Sequence, residues 1–258
     1  MRFDRRLLLI LALSAGAAFA QSGPTIAAAS DLKFALDDIA REFQSATGKP
    51  VRITYGSSGN FFRQIAQHAP FELFLSADED FVFKLADQGL TADRGALYAT
   101  GRIVLFAPTG SAVAGDERMT DLGRAVRDGR LVKFAIANPE HAPYGRAAMQ
   151  ALQKIGLWNA IEPKLVLGEN VSQAAQFATS GSTQGGIFAY SLALAPVFAD
   201  KGKFALIPET LHEPLRQRMV LTRKATPVAR EFYQYLQQPA ARSVFRRYGF
   251  ILPGEAAK

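Results

Sequence analysis

The chain of 258 residues contains no cysteine, three histidines and one tryptophan. Without cysteine there is no disulfide, no thiol nucleophile and no lipid-bearing cysteine at the N-terminus, so stability has to come from an apolar core. His68, His141 and His212 stand apart from one another, with no carboxylate–histidine spacing of the kind that holds a metal. No G-x-S-x-G elbow, phosphate-binding P-loop or G-x-G-x-x-G turn occurs, so the usual sequence marks of an enzyme are missing. Nor is there a run of five or six basic residues, or any interleaving of basic and aromatic residues, which argues against a nucleic-acid partner. Net charge is +7, and because the first twenty residues hold three arginines and one aspartate, the remainder carries +5. That excess is modest and scattered, and favours the arrival of anions only mildly.

What is present begins with an address label. Arg2, Arg5 and Arg6 precede the apolar stretch from Leu7 to Leu13, and Ala18-Phe19-Ala20 has the small-x-small form of a cleavage site. This predicts a signal peptide over residues 1–20 and an exported, periplasmic chain starting at Gln21. The apolar stretch is too short to cross roughly 30 Å of hydrocarbon, and no later one is longer.

From there strand-like and helix-like segments alternate, which predicts an α/β protein with largely parallel sheets. Strands are expected at 25–29, 51–55, 72–76, 102–107, 133–137, 164–168, 185–189, 204–208 and 217–222. The clearest helix runs from Leu32 to Thr47, where Phe34, Leu36, Ile39, Ala40 and Phe43 share one face. Two strands read as crossovers, Arg102 to Ala107 and Arg218 to Thr222. They divide the chain into one lobe of residues 21–101 plus 219–258 and a second of residues 102–218.

Five loops follow or end the strands: Ala28-Ala29-Ser30-Asp31-Leu32, Gly56-Ser57-Ser58-Gly59, Asn138 to Gly145, Gly168-Glu169-Asn170-Val171-Ser172, and Gly186 to Tyr190. A loop between strand and helix offers hydroxyls and unpaired N–H groups at the positive end of a helix, and several together suit a small anion. Each also has a plain reading. Ser30 or Asp31 is either a helix cap or an anion contact. The Tyr144 N–H at the start of a helix is a donor, and Tyr190 either brings its phenol to a cleft or packs in the core. His141 is read as structural, and Glu169 is expected to point away from any bound anion.

These loops, in this order, resemble those of the periplasmic molybdate-binding proteins, the substrate receptors of ABC importers. The markers are Ala28-Ala29-Ser30, Tyr55-Gly56-Ser57-Ser58, Phe74 to Asp78, Asn138 to Gly145, Val171 and Arg247-Tyr248-Gly249-Phe250. The resemblance implies a type II periplasmic binding fold, with two α/β lobes closing over a tetrahedral dianion. It implies a ligand set of Ser30, Asp31, Ser58, Tyr144, Val171 and Tyr190, with Asp31 limited to its N–H. Molybdate or tungstate would be held through its oxygens, with no direct protein–metal bond and no cofactor. The partner would be an inner-membrane ABC permease and the receptor a monomer that catalyses nothing. One departure is plain: Ala189 stands where many members carry a tyrosine, and Tyr190 comes one residue later. A different oxyanion, an organic anion, or an exported enzyme on an anionic substrate are the competing readings.

Overall fold

The structure, a computed structural model, describes residues 23–255, so the signal peptide expected at the N-terminus lies outside the described residues. Ten strands form two sheets: β1 Thr25–Ala29, β2 Arg52–Gly56, β3 Leu73–Ser76, β4 Ala96–Gly101, β5 Ile103–Pro108, β6 Phe134–Ala137, β7 Leu165–Gly168, β8 Gly186–Ala189, β9 Gly202–Leu206 and β10 Leu215–Leu221. The first sheet has the order β2-β1-β3-β10-β4 and the second β7-β6-β8-β5-β9. The chain passes from one to the other at Arg102 and returns through residues 207–214. Two α/β lobes of like plan result, as the periplasmic-binding architecture requires.

Central strands β3, β6 and β8 are buried along their whole length, which is why they read as continuous apolar runs. In the first lobe the strand alternation sorts the core. Ile26, Ala28, Leu73, Leu75 and Met219 pack on the face that carries the helix Lys33–Thr47, and Ala27, Phe74 and Val220 pack on the other with Phe61 and Val82. That helix buries Ala35, Leu36, Ile39 and Phe43 on one stripe. It stops where Gly48 adopts φ 72°, and the Gly48 N–H closes on the Gln44 carbonyl. Leu36, Ile39 and Phe43 each contribute roughly 1.5–3 kcal/mol by leaving water.

Three expectations need correction. The sheets are mixed: β10 runs antiparallel to β3 and β4, and β5 to β8 and β9. Strand β4 has no counterpart among the expected strands, and the helix Thr120–Arg127 fills a gap between strands for which no helix range is expected. The first lacks alternation, and the second is entered at Met119 in a left-handed conformation, its first-turn N–H groups of Thr120 and Asp121 held by the Asp116 carboxylate upstream. Finally, residues 215–218 lie in the first sheet, with Leu215 opposite Gly101, so the return comes before residue 219. Within the Arg216-Gln217-Arg218 stretch, Gln217 is fully buried beside a bulge. Among the described residues no helix is long and apolar enough to cross a membrane.

Candidate functional site

The C-terminal ends of β1 and β2 face those of β6 and β7 across the junction of the lobes, and each leads into a helix or turn. Open α/β sheets place ligands at such ends. A small cleft lies there, with Ser30, Asp31, Ser58, Ala77, Tyr144 and Val171 in its wall. Among the described residues no lysine or arginine lines it. Three helices begin at this cleft: Ser58–Ala66, Pro143–Lys154 and Val171–Thr179. The Ser57 and Asn170 side chains cap the first and third, accepting from Asn60 and Gln173 N–H, while Pro143 opens the second. First-turn N–H groups of these helices have no carbonyl of their own helix to bond, and they carry the positive end of the dipole.

Five of the six residues expected at the site therefore meet in one place. The details differ from expectation. Ser30 does not cap its own turn: its hydroxyl donates to Asn170 Oδ1 at 3.0 Å and accepts the Ser172 N–H at 3.2 Å, while Ser172 Oγ donates to the Ser30 carbonyl at 2.8 Å. Ser58 is fully buried, and its Oγ accepts the Ala77 N–H at 2.9 Å, which leaves the hydroxyl proton free to donate. The Tyr144 phenol points away from the cleft to Asp31 Oδ2, at 2.9 Å, so only its main chain serves the cleft.

Tyr190 is elsewhere. It follows β8, and its ring packs on the Arg102 guanidinium at 4.8 Å and edge-on to Phe204, behind the crossover. A single-residue offset from Ala189 turns the side chain to the other side, so Tyr190 is removed from the cleft wall. Its neighbour Ser191 faces inward instead, donating to the Asp31 carbonyl at 2.8 Å.

Beneath the cleft lies a buried polar cluster that sequence reasoning missed. Asp31 Oδ2 accepts both the Tyr144 hydroxyl and the Gln217 amide, the latter at 2.7 Å, and Gln217 Oε1 accepts the Tyr98 hydroxyl at 2.7 Å. Burial pushes the Asp31 carboxyl up to about 6 against the pull of these donors. Burial and the Asp31 charge also push the phenols of Tyr98 and Tyr144 well above their ordinary range. Gly101 makes the cluster possible, since a Cβ there would meet the Tyr144 hydroxyl at 2.1 Å. The only sequence signal was the glycine at a strand end.

At the rim, the lobes touch through main chain and side chains. Gly59 N–H donates to the His141 carbonyl at 3.0 Å. His141 Nδ1 lies 2.9 Å from Ser57 Oγ and Nε2 3.5 Å from the Glu169 carboxylate. The carboxylate favours a proton on Nε2, so Nδ1 accepts from Ser57. Glu169 is exposed, pairs with Asn60 and does not enter the cleft wall. A wider depression beside the cleft holds Asp78, Glu79, Asp80, Arg146, Glu213 and Arg216; both of its arginines are paired, Arg146 with Asp78 and Arg216 with Glu79, which leaves it acidic. Among the described residues no group of acidic residues and histidines is placed to hold a metal ion.

Comparison with known proteins follows the same lines. Residues 24–251 match the family of bacterial extracellular solute-binding proteins. The chain is 36% identical over 249 residues to the molybdate-binding protein ModA of Rhodobacter capsulatus, covering 95% of this chain and 94% of that one. It superposes on the periplasmic molybdate-binding protein of Azotobacter vinelandii with a TM-score of 0.81 at 28% identity, covering 89% of this chain and 99% of the other. The sulfate-binding protein SubI of Mycobacterium tuberculosis H37Rv gives 0.73 at 16% identity, over 92% of this chain and 88% of that one, a likeness of fold alone. The chain belongs to the bacterial extracellular solute-binding proteins, within the group formed by the ModA molybdate-binding proteins.

Proposed function

We propose that this protein is a periplasmic receptor that captures molybdate, and tungstate with it, in the cleft between its lobes and presents it to an ABC permease. The observation that carries the reading is the meeting of three helix N-termini and two buried serines in one small cleft without a cationic side chain. Its ligand contacts are the hydroxyls of Ser30 and Ser58 and the main-chain N–H groups of Asp31, Ser58, Tyr144 and Val171. Ser30 turns its hydroxyl from Asn170 to a ligand oxygen and keeps the Ser172 N–H.

Neutral donors suit this cargo. Molybdate is fully ionised near neutral pH, so donors alone can satisfy its oxygens, and helix ends spread the compensating charge. Size then discriminates. A cleft fitted to the longer metal–oxygen bonds holds tungstate equally and leaves sulfate with stretched hydrogen bonds. Opening and closing occur at the two connections, Arg102 and residues 207–214, and contacts such as Gly59 to His141 exist only when the lobes meet. The receptor works as a monomer and carries no catalytic group.

Calorimetric titration with molybdate, tungstate, sulfate and phosphate tests the reading. Tight binding of the first two and weak binding of the others is expected. Sulfate bound as tightly as molybdate would overturn the selectivity argument, and no heat with either metal oxyanion would overturn the function.

A further inference from the structure

Asp31 stands where a carboxylate is costly. It belongs to the wall of the cleft, is 1% exposed, and its two oxygens are unequally served. Oδ2 accepts from Tyr144 and Gln217, whereas Oδ1 is buried with no partner. The side chains that contact it are neutral: Tyr144 from the second lobe and Gln217 from β10, with Tyr98 of β4 behind Gln217. An ionised carboxyl here leaves one acceptor unsatisfied. A dianion in the same cleft adds like-charge repulsion, which favours the neutral acid. One proton on Oδ1 removes the repulsion and turns the idle acceptor into a donor, for which an oxygen of the bound anion is the acceptor.

We propose that Asp31 takes up a proton from solution when the cleft closes on its oxyanion and gives it back on release, so that capture and Asp31 protonation are one coupled event. The proposal rests on the cleft being the oxyanion site. With the lobes together, burial already holds the Asp31 carboxyl at about 6, and the bound charge raises it further. Between the free and bound values, affinity then falls about tenfold for each unit rise in pH. The phenols of Tyr98 and Tyr144 are held too high to compete for this role. The other titratable groups at the cleft are on its rim, His141 with Glu169 across from it.

The test is calorimetric titration of the purified exported chain with sodium molybdate at pH 7.5, in buffers of different ionisation enthalpy. The observed enthalpy is expected to vary with the buffer, reporting uptake of more than about half a proton per anion. Asp31→Asn should abolish that dependence and flatten affinity between pH 6.5 and 8.5, whereas His141→Gln should keep the proton uptake. Molybdate binding with no uptake in the unaltered protein overturns the proposal and leaves the receptor function standing. So does uptake that survives in Asp31→Asn or vanishes in His141→Gln. Absence of any molybdate binding removes both. Should Asp31→Asn fail to fold, Tyr144→Phe replaces it: losing a donor to Oδ2 must move the pH-dependent limb upward, and an unmoved limb overturns the proposal.

Discussion

The Tyr144 hydroxyl donates to Asp31 Oδ2 at 2.9 Å, joining the first turn of a second-lobe helix to the short turn that follows β1. Both residues line the cleft, yet the phenol is spent on the carboxylate below it. The cleft therefore keeps a main-chain character, and the carboxylate is held by donors from two lobes rather than by a cation. Four measurements follow from this arrangement and its neighbours.

Asp31 makes the fold pH-sensitive. Its folded value of about 6 lies above the ordinary 3.8, so the folded state binds the extra proton. Stability is then fully present below about 3.8 and is lost as pH rises through about 6, a difference of about 3 kcal/mol. Asp31→Asn should melt higher than the unaltered protein at pH 7 and converge with it near pH 4. Equal melting temperatures at pH 7 would contradict the burial argument.

Gly59 reports on closure alone. A Cβ at this position would meet the His141 carbonyl at 2.6 Å, a main-chain atom of the opposite lobe. Within its own helix, alanine is favoured over glycine by up to about 1 kcal/mol. Gly59→Ala should thus leave the melting temperature of the free protein unchanged or raised while weakening molybdate binding more than about tenfold, equivalent to about 1.4 kcal/mol. Unchanged affinity would mean that the lobes need not meet here.

Ser58 has two roles in the proposed receptor: its Oγ accepts the Ala77 N–H, and its hydroxyl proton is the donor assigned to the anion. Ser58→Ala strands a buried N–H and removes a donor to an anion, each worth about 1–3 kcal/mol. Titration should show affinity down by at least about tenfold. Ser58→Thr is expected to be poor as well, because the site is fully buried and lacks room for a methyl group. Affinity unaltered in Ser58→Ala would take this residue off the site.

Tyr190 offers the opposite case. Its ring contacts Arg102 and Phe204 behind the crossover, and Tyr190→Phe preserves both contacts. Molybdate affinity should stay within about twofold, a change below 0.5 kcal/mol in round terms. A loss of tenfold or more would return the phenol to the ligand set.

The boundary between local and tertiary information runs through individual residues. Strand β1, the helix Lys33–Thr47 and the junctions at Ser58, Tyr144 and Val171 were legible because apolar periodicity and small or capping residues act over a few positions. Strand β4 was not, since its place is set by pairing with β10 more than a hundred residues later. Gln217 illustrates the same limit. It stands between two arginines, and only the strand pairing that buries it reveals a partner for Asp31.

By itself the sequence determined that strand-to-helix junctions rich in serine, glycine and N–H donors would recur along two α/β units, because those preferences are local. Only the tertiary structure decided which junctions share a wall. It brought Ser30 against Asn170 and Ser172 across the lobes, turned Tyr144 onto Asp31, and sent Tyr190 behind the crossover. The reason is physical: a buried carboxylate must find donors wherever the chain brings them, and a one-residue shift past a strand end reverses the side a ring can occupy.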